Sequence, residues 1–312
     1  MVDRAKMPQG TLVAALRHAG CVFAEEEATI LLEQARSQEE LVAMLARRIE
    51  GQPLEHIVGW AQFHGQRIQV GPGVFVPRRR SEFLVERALA VLFADDLFDG
   101  DGDGDGARAA VGGPAVSSTP ASTSESHRAV VLDLCCGSGA IGAALAQALE
   151  QRRSAGHTAY SGNLGCHLHA ADIDPAAVAC ASENIADVLG AAYCGDLFAA
   201  LPESLRGRID MIVANAPYVP SEAIEFMPAE ARIYEPDAAL NGGVDGLEMH
   251  RRIAEEAPQW LAPGGVLLLE SSERQAATTA SILASQGFST SIASNKGLQG
   301  TVVTGRRKLT LS

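Results

Sequence analysis

The stretch Ala129-Val130-Val131-Leu132-Asp133-Leu134-Cys135-Cys136-Gly137-Ser138-Gly139-Ala140-Ile141-Gly142 constrains the chain more than any other. Four apolar residues ahead of an acid suit a buried strand, and the run from Ala140 to Glu150, rich in Ala and Leu, suits a helix after a small-residue turn. Glycines at 137 and 139 let the backbone come close to a ligand, and N–H groups at a helix start favour a carboxylate or phosphate there. The spacing is not the full G-x-G-x-x-G, because Cys135 stands where a first glycine belongs and Gly142 comes late. On this loop alone two readings stand: a nucleotide-type cofactor site, or a tight turn with a structural use only.

A chain of 312 residues is long enough for one large α/β domain plus a small one. Its net charge of −13 argues against broad binding to nucleic-acid phosphates, although six of the acids fall in one run, Asp95 to Asp105. The six cysteines form no C-x-x-C pair, and the chain shows no signal-peptide pattern and no apolar run able to span a bilayer. A cytoplasmic protein with reduced thiols and no metal centre is expected.

From Gln9 to Gly51 the apolar periodicity predicts three short helices, with Ser37 and Glu40 as a capping box for the third and Gly51 as its stop. His18 and His56 have no partner at metal-ligand spacing and read as ordinary histidines. Between Ile57 and Val76, glycines punctuating aromatic and β-branched residues predict a hairpin. Arg78, Arg79 and Arg80 follow, either a solvated patch or a group near a cofactor carboxylate or an acidic partner, and then an amphipathic helix capped by Ser81. Residues 99–128 carry Asp-Gly repeats and then Gly, Pro, Ser and Thr, the texture of a flexible insertion. Asp101, Asp103 and Asp105 imitate a calcium loop, but Gly112 stands where its closing glutamate belongs. A second insertion is expected from Gln151 to Leu164.

The next strand, Cys166 to Ala171, ends at Asp172-Ile173-Asp174-Pro175. An acid at the end of the second strand accepts hydrogen bonds from ribose hydroxyls in dinucleotide folds. Asp172 is the candidate for that role and Asp174 for a helix cap; both acids as caps is the alternative. Gly195-Asp196-Leu197-Phe198 fits a third strand end, and Ile209 to Ala214 a fourth strand. It runs into Asn215-Ala216-Pro217-Tyr218, at the carboxyl end where open α/β sheets bind ligands. The asparagine side chain and the next carbonyl offer two acceptors for one NH2 group, and the tyrosine offers a flat wall. Such a pair orients a poor amine nucleophile for methyl transfer, whereas an ordinary Asn-Pro turn would need none of it.

Several blocks in order resemble the HemK/PrmC-like family of S-adenosylmethionine-dependent protein glutamine N(5)-methyltransferases. They are Gln52 to Gly59, Phe63 to Gly65, Pro72 to Arg78, Asp133 to Gly139, Asn215 to Tyr218, Glu235 to Leu240 and Leu261 to Glu270. The resemblance implies a seven-stranded Rossmann-like methyltransferase sheet. It implies a helical substrate-recognition domain over 1–52, a hairpin connector over 53–77 and a methyltransferase domain over 78–312. It implies that S-adenosylmethionine lies against Asp133, Cys135, Cys136, Gly137, Ser138 and Gly139, with its ribose on Asp172 and its adenine near Asp196 and Leu197. Asn215 would touch both cofactor and substrate, and Asn215, Ala216, Pro217 and Tyr218 would grip the glutamine amide. The implied substrate is a protein, a peptide-chain release factor or another glutamine-bearing protein.

The chain departs from the family pattern at several points. Ala216 replaces the first proline of Asn-Pro-Pro-Tyr, Cys135-Cys136 replaces Gly-Thr, Arg79-Arg80-Ser81 replaces Pro-Glu-Thr, and Ser271-Ser272 follows Glu270 where glycine is common. A methyltransferase acting on a nucleobase or small-molecule amine is the alternative, and a non-catalytic cofactor-binding protein is another. The acidic charge and the lack of an appended recognition domain weigh against a nucleic-acid substrate.

Overall fold

The computed structural model describes residues 7–93, 128–154 and 166–308. The predicted insertion at 99–128 lies outside them apart from Arg128, as do the calcium-like acids. The second insertion starts later than predicted, because residues 151–154 continue a helix; its remainder also lies outside the described residues.

Helices α1 (Gln9–His18), α2 (Ala24–Gln34) and α3 (Gln38–Ile49) match the three predicted periods, and a short α4 (Leu54–Val58) follows. Leu12, Leu16, Ala28, Leu31, Leu41 and Leu45 close a core of their own with Ile57 and Val58. Ser37 Oγ accepts from Glu40 N–H at 3.2 Å, while the Glu40 carboxylate accepts from Arg36 N–H at 2.7 Å, one residue earlier than in a regular capping box. Gly51 ends the helix at φ +91°, a conformation glycine adopts without strain. His56 is buried and bonds the Val74 carbonyl at 2.8 Å, an ordinary structural role as expected.

The predicted hairpin pairs β1 (Trp60–Phe63) with β2 (Gln66–Gln69) across a two-residue turn, His64-Gly65, both at positive φ as a type I′ turn demands. A 3-10 turn, Arg79–Ser81, leads directly into α5 (Glu82–Phe93).

The main sheet has seven strands. They are β3 (Ala129–Leu134), β4 (Cys166–Asp172), β5 (Gly190–Cys194), β6 (Ile209–Ala214), β7 (Leu261–Ser271), β8 (Phe288–Asn295) and β9 (Gly300–Arg307). Their order is β5-β4-β3-β6-β7-β9-β8, parallel except where β9 runs against β7 and β8. Alternate residues of the parallel strands go to opposite faces, and both faces are covered, so the strands read as continuous apolar runs. Val131, Leu168, Met211 and Leu268 meet α5, α6 (Ala140–Ser154) and α7 (Pro175–Asn184) on one face. Leu132, Ile212 and Leu267 meet α9 (Glu248–Trp260) and α10 (Ala276–Ser285) on the other. The small α8 (Ala229–Tyr234) lies outside these layers, in the connection from β6 to α9.

The chain runs outward from β3 to β5, then returns to β6 on the other side of β3. That reversal is a topological switch point, and the loops after β3 and β6 diverge there to leave a crevice. Leu134 pairs with Ala214, so the glycine loop and Asn215 leave the sheet side by side. Among the described residues no helix is long and apolar enough to cross a membrane.

Candidate active site

A cavity of about 280 Å³ opens at this switch point. Its floor is the loop after β3. Cys135, Gly137 and Gly139 adopt φ of +57°, +53° and +74°, and the Gly139 N–H closes the turn on the Cys136 carbonyl at 2.8 Å. At Gly139 a Cβ would stand 3.0 Å from the Ala181 backbone, so glycine lets the loop press on α7. Burial, with the nearby carboxylates, pushes the Cys135 and Cys136 thiols upward, so both stay protonated.

Asp172 ends β4 and faces this loop. Its Oδ2 accepts from Gly137 N–H at 2.8 Å and its Oδ1 from Asp174 N–H at 3.0 Å, while burial raises its pKa. Asp174 caps α7 by accepting from Ala176 N–H at 2.9 Å, as predicted. Asp174 is thus the cap of α7, and Asp172 ties the glycine loop to the start of that helix. Asp196 and Leu197 line the far end of the cavity, where Arg252 Nη2 donates to Asp196 Oδ2 at 2.7 Å.

The opposite end is built on β6. Asn215 Nδ2 donates to Ser81 Oγ at 3.2 Å, which leaves the asparagine carbonyl as its acceptor. Among the described residues no donor meets the Ala216 carbonyl. Pro217 lines the cavity beside Asn215, and Pro236, Ala238, Ala239 and Asn241 face them as a second wall. That wall is tied down: Val219 N–H donates to the Leu240 carbonyl at 3.0 Å, and Gly242 N–H to the Val219 carbonyl at 2.8 Å. Glu235, at its start, accepts from Arg78 Nη2 through both carboxylate oxygens at 2.6 Å. Phe63 of the hairpin, with Phe75 and Pro77, completes the apolar lining.

Cys135, Cys136, Gly137, Ser138, Asp172, Asp196, Leu197, Asn215 and Pro217 are thus brought to one cavity wall. Four predicted site residues are not on it. Asp133 is fully buried beneath α6, where its Oδ2 accepts from Gly142 N–H at 2.8 Å and burial raises it to about 8. Gly139 shapes the loop from behind. Ala216 packs into the core, the whole residue 1% exposed. Tyr218 lies behind Pro217, with its hydroxyl on Glu270 Oε1 at 3.0 Å and its ring 6.5 Å from that of buried His250.

Two nearer expectations are also corrected. Ser81 does not cap α5: the preceding 3-10 turn makes its hydroxyl face Asn215 instead. The arginine run is not a uniformly solvated patch: Arg78 and Arg80 pair with Glu235 and Glu270, whose side chains are 1% exposed, although Arg79 and Arg80 themselves stay exposed. Sequence reasoning missed Ser81 and Arg252 as wall residues; the hydroxyl kept where the family has Thr was the signal for the first.

The acids Asp172, Asp174 and Asp196 line the cavity against a single base, Arg252. That net negative lining suits a cationic sulfonium, and the glycine floor suits close backbone approach. The residues present therefore fit S-adenosylmethionine.

A Rossmann-like sheet with this crevice and glycine loop fits a methyltransferase, and a family model described as a methyltransferase domain matches residues 125–302. Curated relatives narrow the class. The release factor glutamine methyltransferase of Geobacter sulfurreducens is 34% identical over 256 residues, 80% of this chain and 72% of that protein. That of Mycolicibacterium smegmatis is 33% identical over 84% of this chain and 75% of that protein, and that of Streptomyces coelicolor 32% over 74% and 67%. The chain belongs to the release factor glutamine methyltransferase family.

Proposed function

We propose that the protein transfers a methyl group from S-adenosylmethionine to the side-chain amide nitrogen of a glutamine in a peptide-chain release factor. The observation that carries this reading is Asn215: its amide N–H groups are turned toward Ser81, so its carbonyl and the Ala216 carbonyl are free to accept from one NH2 group. S-adenosylmethionine supplies an electrophilic methyl on a sulfonium, whose C–S bond breaks as the N–C bond forms. Gripping both amide hydrogens sets the nitrogen in line with that bond and draws its lone pair out of conjugation. Its surplus proton leaves afterwards, so no general base is required beside Asn215. Asp172 holds the ribose, Asp196 and Leu197 border the adenine, and Cys135 to Ser138 carry the methionine part.

The helical unit up to residue 52 recognises the partner protein in this reading, and the hairpin joins it to the methyltransferase domain. Arg48 Nη1 on α3 reaches Glu230 at 3.4 Å and the Tyr234 hydroxyl reaches the Glu50 carbonyl at 3.3 Å, linking that unit to the connection above the acceptor. A cytoplasmic location, with no membrane and no sequence-specific nucleic-acid partner, fits a release factor substrate.

The test is transfer of labelled methyl to purified release factor, beside a copy whose Gly-Gly-Gln glutamine is replaced. Label on the first alone is expected, with Asn215→Ala abolishing it while still binding cofactor. Label on both copies, or full activity in Asn215→Ala, refutes the reading.

A further inference from the structure

Glu270 is the last residue but one of β7, and its side chain is 1% exposed. Two donors meet on one of its oxygens: Arg80 Nε at 3.1 Å and the Tyr218 hydroxyl at 3.0 Å. The other oxygen has no partner among the described residues. The Arg80 guanidinium also stands 5.7 Å from the centre of the Tyr218 ring, within reach of a cation–π contact. The next residue, Ser81, bonds Asn215. One short turn thus touches both ends of the Asn215–Tyr218 segment. It is itself seated on β9, where a Cβ at Gly300 would come within 2.7 Å of the Arg80 carbonyl.

We propose that Arg80 is a positioning residue of this enzyme: by orienting the Glu270 carboxylate it fixes Tyr218, and so sets the acceptor turn at the geometry needed for transfer. The inference rests on the reading of Asn215 to Tyr218 as the acceptor grip. The family pattern that this chain resembles carries an acid where Arg80 stands, so the Arg80–Glu270 pair is a departure of this chain. It places a cation beside Glu270 and gives Tyr218 a partner on its ring face as well as at its hydroxyl.

The test combines kinetics with fluorine NMR on protein carrying 3-fluorotyrosine, which labels four tyrosines. The Tyr218 resonance is assigned by its loss in Tyr218→Phe. In Arg80→Met that resonance is expected to move or broaden while the other three hold, and kcat to fall about ten- to a hundredfold with the cofactor Kd unchanged. Arg80→Lys, which keeps the charge, should recover most of the rate. The double variant Arg80→Met/Glu270→Gln should lose less than the product of the two single losses, since the two residues share the contact on Tyr218. An unmoved Tyr218 resonance in Arg80→Met, or rate losses that multiply in the double variant, overturns the inference. Should Asn215→Ala keep full activity, the acceptor reading falls while the resonance still reports on Arg80. Should Asn215→Ala lose activity while Arg80→Met keeps both rate and resonance, only the role of Arg80 falls.

Discussion

Ser81→Ala is the sharpest test of how the acceptor turn is preorganised. Ser81 is 1% exposed, and its hydroxyl accepts from Asn215 Nδ2 at 3.2 Å. Without that acceptor the amide loses the contact that distinguishes its nitrogen from its oxygen, and both orientations become available. A neutral hydrogen bond of this kind contributes about 0.5–1.5 kcal/mol net. At about 1.4 kcal/mol per decade, that is a fall of about two- to twelvefold in kcat/KM for methyl transfer to release factor. The fold should survive, because no core side chain is cut. Ser81→Thr keeps the hydroxyl and should hold at least half the activity. Steady-state transfer and calorimetric cofactor binding are measured together on all three proteins. A wild-type rate in Ser81→Ala refutes the argument, as does an equal loss in Ser81→Thr. A loss confined to cofactor affinity would move Ser81 to the other substrate.

The further predictions concern the stability of the fold and of the glycine loop. Burial lifts Asp133 from 3.8 to about 8 and lowers His250 from 6.5 to about 4. For Asp133 the folded state holds a proton that the unfolded chain releases, so its contribution to stability falls as pH rises between those values. For His250 the unfolded chain takes up the proton first, so stability is lost as pH falls from 6.5 towards 4. Urea midpoints of Asp133→Asn should therefore gain on wild type toward alkaline pH, and those of His250→Gln toward acid; parallel curves would refute both. Arg78→Met strands the Glu235 carboxylate, and because Arg78 is about one-third exposed the loss should be about 2 kcal/mol rather than the full value for a buried pair. Adding Glu235→Gln should recover part of it, and a loss near zero sinks the claim. Cys135 holds φ +57°, so Cys135→Gly should raise stability by about 0.5–1 kcal/mol. Gly139→Ala should lower the melting temperature and weaken cofactor binding, since its Cβ would meet Ala181 at 3.0 Å. Equal melting temperatures for the last two would count against the account of this loop.

What could be read from the sequence was local. The strand and loop from Ala129 to Gly139 announce themselves through a short apolar run and small residues, as do the cap at Asp174 and the switch from Ala214 to Asn215. The elements that escaped depend on partners far along the chain: Ser81 and Asn215 are 134 positions apart, Arg80 and Glu270 190. No periodicity within the α5 region reveals that the loop after β6 and the end of β7 converge on the turn before it. Asp133 misled for a different reason. With both faces of the sheet buried, alternation along β3 does not say which side chain meets the cavity and which meets the helix.

The same distinction decides what the change from proline to Ala216 costs. The Ala216 side chain packs in the core, and its carbonyl, which no donor meets among the described residues, is the acceptor that the proposed grip uses. A proline there would restrict the unfolded chain and fix φ, but it would add no acceptor. The loss is therefore one of rigidity, and the structure restrains the segment elsewhere: Asn215 is bonded to Ser81, Tyr218 to Glu270, and Val219 is paired with both Leu240 and Gly242. A turn held at three points beyond its own backbone can forgo one ring. It also becomes dependent on those points, which makes Ser81 and Arg80 more consequential in this chain than a proline-stiffened turn would require.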